Sequence, residues 1–310
     1  MSFESFEQFT VDVDDAQINT LVGGSGEPLL LLHGYPESHR MWRKVVAPLA
    51  ERFTVIATDL RGYGDSSAPE PDPAHRTYSK RVTARDQVAV MDALGFGRFA
   101  VAGHDRGARV VHRMAIDSPE RISRAAVLDI LPTPHVFETM DGLRARSYWH
   151  WFFLIQEGGL PERLIGADPE YFLRRLFGNF AGGGDVVDDD TFAAYLQAWR
   201  DPAKIAAGCE DYRAGASTDL DDHAADTERI RCPLLVLWGA DGALARLHDN
   251  PLGVWSQWAE DVRGHAVPGG HFLPEESPRE TIDALVDFFG TSSASSTFSS
   301  ESAPSGGDTQ

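Results

Sequence analysis

The sequence predicts an α/β protein with a mostly parallel central sheet flanked by helices. Short apolar runs bounded by turn residues alternate with amphipathic stretches, which is typical of strands joined by crossover helices. The chain has 310 residues, 42% hydrophobic and 24% charged, which suffices for a large core domain with a smaller insertion. We see no internal repeat, so a repeat architecture is not expected.

Five apolar runs have the length and composition of buried strands. They cover residues 28–32, 53–58, 99–102, 125–130 and 234–238. A helical segment over about residues 79–94 precedes the third run, as expected where a helix connects two parallel strands.

Residues 132–230, between the last two predicted strands, have a different composition. This stretch is rich in aromatic residues, broken by Gly and Pro, and mainly helical in pattern. We therefore predict a helical cap at 132–230, inserted into a core formed by residues 1–131 and 231–290. The cap should lie over the carboxyl ends of the strands, where open parallel sheets bind ligands. Residues 291–310 are rich in Ser and Gly and are predicted to be a disordered tail.

The charge balance argues against several classes of partner. The 28 Lys and Arg against 47 Asp and Glu give a net charge of −19, which disfavours nucleic acid and anionic membranes. No apolar run reaches the roughly 18–20 residues of a spanning helix, and the first residues lack the order of a secretory signal. Two cysteines, Cys209 and Cys232, fit neither a disulfide framework nor a zinc site. We expect a soluble, cytoplasmic protein.

Two acidic clusters in the predicted cap are metal-site candidates by composition. They comprise Asp185 with residues 188–190, and Asp219 with Asp221 and Asp222. Neither has the spacing of a calcium-binding loop. We predict that both are solvated loops and that the protein has no metal site.

Residues 103–107 form a Gly-x-Asp-x-Gly motif between a predicted strand and a helix-compatible run. This strand–elbow–helix order is the layout of the α/β-hydrolases, in which glycines flank a strained turn because sheet and helix backbones approach closely. The segment His33-Gly34-Tyr35-Pro36 lies upstream, where that fold has its oxyanion loop. Together these features predict the α/β-hydrolase fold.

Asp105 occupies the tip of this elbow, where esterases have a serine. A carboxylate attacks an sp³ carbon without first losing a proton and becomes an alkyl ester. Water must then hydrolyse that ester at the carboxyl carbon, which requires a base and an oxyanion hole. Asp105 therefore argues against an esterase and indicates a dehalogenase or an epoxide hydrolase.

The general base should be a histidine late in the chain. His271 fits, because it lies on a Gly-flanked loop before the last predicted helix. Two carboxylates compete to orient it. Asp129 ends an apolar run, where an unpaired carboxylate is costly to bury, whereas Asp241 precedes a glycine after the next strand, the commoner position in esterases of this fold. We favour Asp129 and keep Asp241 as the alternative.

Arg106 and Arg109 lie three residues apart just after Asp105, so they share a helix face. Two guanidinium groups there can bind a substrate carboxylate and offset its repulsion from the nucleophile. They also favour the ionised form of Asp105. This pair therefore indicates an anionic substrate.

Three aromatic side chains of the cap offer donors to a leaving group. Fluoride is a poor leaving group and needs strong donors in a dry pocket. The available imidazole, indole and phenol belong to His150, Trp151 and Tyr212. Aromatic residues in such positions more often fill a core, so composition alone does not assign them this role.

Motifs from both core and cap resemble those of the fluoroacetate and haloacetate dehalogenases. The shared stretches are 33–36, 103–109, 128–133, 150–151, 209–215 and 270–276. The resemblance covers about residues 28–290 and implies hydrolysis of a small anionic haloacid to the 2-hydroxy acid and halide. It implies Asp105 as nucleophile, His271 as the base for the hydrolytic water, and Asp129 as its partner.

The resemblance also implies the binding groups. The substrate carboxylate would be bound by Arg106 and Arg109, and the oxyanion hole would be formed by the backbone N–H groups of Tyr35 and Arg106. The implied halide-binding side chains are those of His150, Trp151 and Tyr212. The family uses no cofactor, and its members are commonly homodimers.

The sequence departs from the family pattern near the predicted site. Tyr35 replaces a phenylalanine in the oxyanion loop, which is a mild change if only its backbone acts. Phe180 stands where the family has a tryptophan, and a smaller ring there could admit larger 2-haloacids. The Ser-rich tail and the strong negative charge also lie outside the pattern.

An epoxide hydrolase is the alternative function, because it would use the same Asp105, His271 and oxyanion loop. It needs cap tyrosines that donate to the epoxide oxygen. The available tyrosines are Tyr148, Tyr171, Tyr195 and Tyr212. The two arginines argue against it, since a neutral epoxide gains little from them. A non-catalytic ligand-binding relative is a third interpretation, disfavoured because all three triad residues are present.

Overall fold

The computed structural model describes residues 3–183 and 186–290, and its strands form one central sheet. The strands are β1 (Glu7–Asp12), β2 (Gln17–Gly24), β3 (Glu27–Leu32), β4 (Phe53–Thr58), β5 (Phe99–His104), β6 (Ile122–Leu128), β7 (Leu234–Gly239) and β8 (Val262–Val267). Their order is β1-β2-β4-β3-β5-β6-β7-β8. β2 pairs antiparallel with β1 and β4, and the other pairs are parallel. The predicted mostly parallel sheet is confirmed.

All five strands predicted from apolar runs are present, as β3 to β7, and β4 has the predicted bounds. The sequence analysis does not predict β1, β2 and β8, because polar residues or glycines interrupt their apolar pattern. β1 and β8 are the two edge strands, which are buried less completely than central ones. Their weak pattern therefore follows from their place in the sheet.

The helices precede, separate and follow the strands, and many of them lie in the stretch predicted as the cap. Before β6 lie α1 (Val46–Ala50), α2 (Lys80–Ala93) and α3 (Asp105–Asp117). Between β6 and β7 lie α4 (Thr133–Glu138), α5 (Gly142–Ser147), α6 (Trp149–Leu154), α7 (Leu160–Ala167), α8 (Pro169–Phe180), α9 (Asp189–Ala198), α10 (Pro202–Gly215) and α11 (Thr218–Ala225). After β7 lie α12 (Ala243–Leu247), α13 (Pro251–Trp255), α14 (Leu273–Glu276) and α15 (Pro278–Gly290). Single 3₁₀ turns cover Phe3–Ser5, His39–Trp42 and Arg76–Tyr78.

The helices α4 to α11 occupy the stretch predicted as the cap, residues 132–230. The predicted tail 291–310 and Asp185 of the first acidic cluster lie outside the described residues. The segment leaves the sheet at the carboxyl end of β6, beside β5, and returns to it in β7.

The interior of the sheet explains why its strands read as continuous apolar runs. Leu30 and Leu32 of β3 pack into one apolar cluster, and Leu29 and Leu31 into another. All four are fully buried because side chains alternate between two covered faces. Each contributes roughly 2 kcal/mol by burial. This core fixes the carboxyl ends of the strands, from which the site loops extend.

No helix in the described ranges is long and apolar enough to cross a membrane. The same ranges contain no group of three or more His, Cys, Asp or Glu side chains that could hold a metal ion. Asp219 belongs to α11, is 3% exposed, and accepts a hydrogen bond from the backbone N–H of Lys80 at 2.8 Å. The prediction of a solvated loop is therefore wrong for Asp219, because it links the cap to α2.

Candidate active site

Asp105 lies at the junction of β5 and α3, where the chain turns sharply. Its φ of 45° is in the left-handed region, which L side chains rarely adopt. A Cβ on Gly103 would lie 2.6 Å from the backbone of Gly107, and a Cβ on Gly107 would overlap the carbonyl oxygen of His33. The two glycines therefore allow strand, helix and upstream loop to meet at Asp105.

The two carboxylate oxygens of Asp105 have different surroundings. Oδ1 accepts a hydrogen bond from the backbone N–H of Tyr35 at 2.9 Å. Oδ2 lies 3.9 Å from Nε2 of His271. In the part of the chain that is described, no hydrogen bond joins Asp105 to the other expected oxyanion donor, the backbone N–H of Arg106. One oxygen is thus held by the loop, and the other faces the histidine.

His271 is oriented by Asp129. Its Nδ1 lies 2.6 Å from Oδ2 of Asp129, whose Oδ1 accepts a hydrogen bond from the backbone N–H of Gly239 at 2.9 Å. The alternative, Asp241, is exposed, and its Oδ2 accepts a hydrogen bond from the backbone N–H of Gly269 at 3.3 Å. The structure therefore brings Asp129, and not Asp241, against the histidine.

The electrostatics of the site favour an ion pair between Asp105 and His271. Burial raises the pKa of Asp105, but the positive charges of His271, His104 and two arginines outweigh it and lower the pKa to about 2. Burial lowers the pKa of His271, but the hydrogen bond and charge of Asp129 raise it to about 9. At neutral pH the resting site therefore holds a carboxylate and an imidazolium.

A cavity between the sheet and the cap brings most of the predicted residues together. Its core side includes Tyr35, Asp105, Arg109, Asp129 and His271. Its cap side includes His150, Trp151, Tyr212 and Phe180. Much of the remaining wall is apolar and includes Ile130, Leu131, Val136, Leu176, Leu244 and Phe272. A small molecule bound there would contact the predicted nucleophile, base and cap donors at once.

Arg109 reaches this cavity with part of its guanidinium group unpaired. Nη1 donates to the backbone oxygen of Leu131 at 3.1 Å and to Oγ1 of Thr133 at 2.7 Å. Its guanidinium carbon lies 4.6 Å from the ring centroid of Trp151. Nε is buried without a partner in the described residues. Burial and the neighbouring Arg106 lower the pKa of Arg109 to about 10, so it stays charged at neutral pH and can bind an anion.

Arg106, predicted to bind a substrate carboxylate together with Arg109, is paired with a carboxylate of the chain itself. Arg106 is 1% exposed and does not line the cavity. Its Nε donates to Oδ2 of Asp211 at 3.0 Å, and its Nη2 donates to Oδ1 at 2.8 Å. Lys80 and the hydroxyl of Tyr63 bind the same carboxylate. The three-residue spacing predicted that both arginines lie on one helix face. In the structure, the buried carboxylate of Asp211 on α10 holds the Arg106 side chain away from the cavity.

The three predicted cap donors line the cavity and are all nearly buried. Nδ1 of His150 is buried without a hydrogen-bond partner among the described residues. Neither the indole N–H of Trp151 nor the hydroxyl of Tyr212 donates to another described residue. Burial lowers the pKa of His150 to about 3, so its ring is neutral and carries one N–H. The rings of His150 and Trp151 lie 5.7 and 6.2 Å from that of Tyr212. These residues therefore differ from ordinary core aromatics, because their polar groups are unpaired.

The four tyrosines considered for epoxide chemistry are separated by the structure. Tyr148 and Tyr212 line the cavity. Tyr171 is 69% exposed, and Tyr195 lies in a different cavity. Phe180, the departure from the family pattern noted above, lines the same cavity as Tyr148 and Tyr212. Its ring lies 4.7 Å from that of His150.

Sequence reasoning missed one buried acid beside the site. Glu37 follows the oxyanion loop, and its Oε2 lies 3.3 Å from Nδ1 of His104. The ring of His104 in turn lies 4.5 Å from that of His271. An acidic residue directly after the predicted oxyanion loop could have drawn attention to Glu37. Its neighbours in sequence do not show, however, that its side chain is buried.

The fold and the site define the class of protein. The chain matches the family model of the alpha/beta hydrolase fold over residues 27–278 and belongs to that family.

Within that family, the chain is 46% identical to fluoroacetate dehalogenase from Burkholderia sp, over 92% of this chain and 94% of the relative. The resemblance predicted from the motifs is confirmed by this similarity. The chain is also 34% identical to soluble epoxide hydrolase from Corynebacterium sp. (strain C12), over 89% of this chain and 95% of the relative. The solved structure of ALR0039 from Nostoc sp PCC 7120 is 51% identical, with a TM-score of 0.91 over 93% of this chain and 99% of that one.

Proposed function

We propose that this hydrolase is a dehalogenase of short haloacids, such as fluoroacetate, that works through an ester on Asp105. The observation that carries the proposal is the grouping, in one cavity, of the Asp105 carboxylate, the partly unpaired Arg109 and the unpaired cap donors. The 46%-identical relative named fluoroacetate dehalogenase supports it. The products are the 2-hydroxy acid and halide, and all the reacting groups are side chains of this chain.

In the first half-reaction, Oδ2 of Asp105 attacks the carbon that carries the halogen. The new C–O bond forms as the C–halogen bond breaks, so negative charge passes from the carboxylate to the halide. Arg109 holds the substrate carboxylate through its unpaired nitrogens. The donors of His150, Trp151 and Tyr212 stabilise the departing halide in a cavity whose wall is largely apolar.

In the second half-reaction, water hydrolyses the ester. The water oxygen bonds to Cγ of Asp105 while Nε2 of His271 takes its proton, and Asp129 stabilises the resulting imidazolium. The charge that develops on Oδ1 is stabilised by the backbone N–H of Tyr35, which already donates to this oxygen. The Cγ–Oδ2 bond then breaks, and Oδ2 leaves on the hydroxy acid with the proton from the histidine. The regenerated carboxyl loses one proton, so each turnover yields hydroxy acid, halide and a proton.

Epoxide hydrolysis is the second candidate, and two observations favour it. The hydroxyl-bearing side chains of Tyr148 and Tyr212 both line the cavity. Arg106 is paired with Asp211, so the cavity offers one guanidinium rather than the two that a carboxylate clamp would use. The 34%-identical epoxide hydrolase from Corynebacterium also supports this alternative.

Halide release separates the two candidates. The enzyme is incubated with fluoroacetate, chloroacetate and 2-chloropropionate, and with styrene oxide in parallel, and the Asp105→Asn variant serves as the matched control. Release of fluoride or chloride by the wild type but not by Asp105→Asn would support the dehalogenase. Release of chloride without fluoride would mean that the cap donors stabilise fluoride too weakly. If styrene oxide yields the diol and no acid yields halide, the dehalogenase proposal is overturned.

A cytoplasmic location and a homodimeric assembly remain predictions of the sequence and the resemblance. The homodimer is tested by measuring the molar mass of the native protein by light scattering.

A further inference from the structure

A second cavity adjoins the substrate cavity and opens toward solvent. Phe180 at the end of α8 and Ala243 at the start of α12 line both cavities, so the two spaces meet between these half-buried residues. The second cavity has a volume of about 350 Å³ and lies between α5, α8 and α12. We call it the vestibule, because a ligand can pass through it into the substrate cavity.

The vestibule is positively charged. It is lined by one exposed arginine from each of the three helices, Arg146 on α5, Arg175 on α8 and Arg246 on α12. No acidic side chain of the described residues lines it, and its other polar side chains, Ser147 and Asn179, are neutral. Its charge is thus opposite in sign to that of the whole chain, which is −19. The composition of the chain does not account for three cations without an acid around one cavity.

Two of these arginines have no partner within the chain. Arg146 and Arg175 form neither a hydrogen bond nor an ion pair with any other described residue. Neighbouring arginines of the same two helices are neutralised, because Arg144 pairs with Asp141 on α5 and Arg174 pairs with Glu170 on α8. The positive charge of the vestibule is therefore available to a ligand.

The charge of Arg246 extends into the substrate cavity. This arginine donates a hydrogen bond from Nη1 to the backbone oxygen of Asp241, which leaves its charge without an acidic partner. Burial raises the pKa of Tyr148, a residue of the substrate cavity, and the positive charge of Arg246 is among those that offset this rise. The electrostatic field of the vestibule is thus continuous with that of the cavity in which Arg109 lies.

These charges bear on how an anion reaches the site. A net charge of −19 repels a small carboxylate, which lowers its rate of encounter with the protein. A cluster of one sign of charge at a cleft has the opposite effect on oppositely charged ligands, and it raises association rates by roughly 10- to 1,000-fold. A neutral ligand gains nothing from such a cluster.

We propose that the vestibule collects the anionic haloacid from solution and guides it between Phe180 and Ala243 to Arg109. Arg146, Arg175 and Arg246 act on the entry of the substrate, and no bond to carbon or halogen forms or breaks there. The inference deepens the proposed function and rests on it, because it requires a substrate that carries a carboxylate.

Association kinetics test this guidance without turnover. In an Asp105→Asn protein, chloroacetate can bind without reacting, and stopped-flow tryptophan fluorescence follows its entry into the cavity that Trp151 lines. In that background, the combined changes Arg146→Gln, Arg175→Gln and Arg246→Gln should lower the association rate constant at least roughly fivefold at an ionic strength of about 20 mM. The difference should vanish at about 0.5 M, where salt screens the charges. The dissociation rate constant should change less, since charges at the rim of a site act mainly on association.

Two matched proteins separate local charge from shape and from net charge. Lysine in place of all three vestibule arginines keeps the charge and should retain the association rate constant and its dependence on salt. The combined changes Arg85→Gln, Arg163→Gln and Arg200→Gln remove the same charge at exposed residues that line neither cavity, and they should have little effect. Equal losses in the two glutamine proteins would overturn the inference, as would a loss with lysine as large as that with glutamine.

An unchanged association rate constant, or an unchanged dependence on salt, in the glutamine variant of the vestibule would also overturn it. If that variant does not fold by circular dichroism, Arg146→Gln and Arg175→Gln decide separately, and parent rates in both would overturn the inference. A wild type that releases no halide from any haloacid would refute the proposed function, whereas the association rates are measured without turnover. If chloroacetate does not bind at all, both are overturned.

Discussion

The carboxylate of Asp211 binds the guanidinium of Arg106 through two hydrogen bonds, of 3.0 Å to Nε and 2.8 Å to Nη2. Arg106, which follows Asp105 in the sequence, therefore forms a buried ion pair with a residue of the predicted cap. It still lowers the pKa of Asp105 through its charge, but Arg109 is the arginine that lines the cavity. The two elbow arginines therefore have different surroundings: Arg106 joins two parts of the chain, and Arg109 lines the cavity in which we propose that the substrate binds.

Arg109→Leu is expected to raise KM for haloacids by roughly 10- to 100-fold, because hydrogen bonds to charged groups contribute about 1.5–3 kcal/mol. Initial rates of chloride release over a range of chloroacetate concentrations measure this. Arg109→Lys keeps the charge but not the planar donors and should recover only part of the affinity. An unchanged KM in Arg109→Leu would show that the substrate carboxylate binds elsewhere.

Arg106→Leu is expected to lower the free energy of unfolding by about 3–5 kcal/mol, because it leaves Asp211 buried with Lys80 as its remaining cation. Urea denaturation followed by circular dichroism measures the loss. Arg109→Leu is the comparison, since it removes another buried arginine that forms no ion pair with a carboxylate in the described residues. Equal losses in the two variants would contradict the structural role of the Arg106–Asp211 pair.

His271→Ala is expected to stop after the first half-reaction. With no base to take the proton from water, the ester persists, and the intact mass of the protein rises by that of the substrate residue. Peptide mapping should place the adduct on Asp105. Asp105→Asn should show neither adduct nor halide, and turnover in that variant would rule out the covalent route.

Ester formation should release the proton of His271. Its pKa of about 9 in the resting site is raised in part by the charge of Asp105, which disappears when the ester forms. The pKa then falls, so at pH 7.5 the halide burst should be accompanied by up to one equivalent of protons, detected with an indicator dye in stopped flow. His271→Ala should show the halide burst without this proton.

The two half-reactions should also differ in their dependence on pH. Ester hydrolysis should slow as pH falls below the pKa of His271 in the ester, because a protonated imidazole cannot act as a base. The halide burst should persist at acidic pH until the pKa of Asp105, about 2, is approached. A burst and a steady state that decline together with acidity would contradict these assignments.

Phe180→Trp is expected to favour chloroacetate over 2-chloropropionate by roughly tenfold relative to the wild type, since one extra methyl group in a filled pocket costs about 1–3 kcal/mol. Phe180 lines the cavity beside His150, where a larger ring leaves less room. The ratio of kcat/KM for the two acids measures the change. Phe180→Leu should move the ratio in the opposite direction, and identical ratios in all three proteins would exclude Phe180 as a determinant.

The sheet and the elbow could be predicted because their signals are local. Central parallel strands are covered on both faces and read as apolar runs, and Gly103 and Gly107 lie next to the residue that they accommodate. The environment of Arg106 could not be predicted, because its partner Asp211 lies about a hundred residues later on a cap helix. Glu37 was missed for the same reason, since its burial depends on the fold rather than on its neighbours in sequence.

Asp105 and Asp129 both have backbones in the left-handed region, with φ of 45° and 53°. That conformation costs roughly 1–2 kcal/mol for most L residues; Gly adopts it freely, and Asn and Asp adopt it occasionally. Glycine at either turn would therefore relieve the strain but remove the carboxylate. Stability and the proposed chemistry thus favour different residues at these two turns.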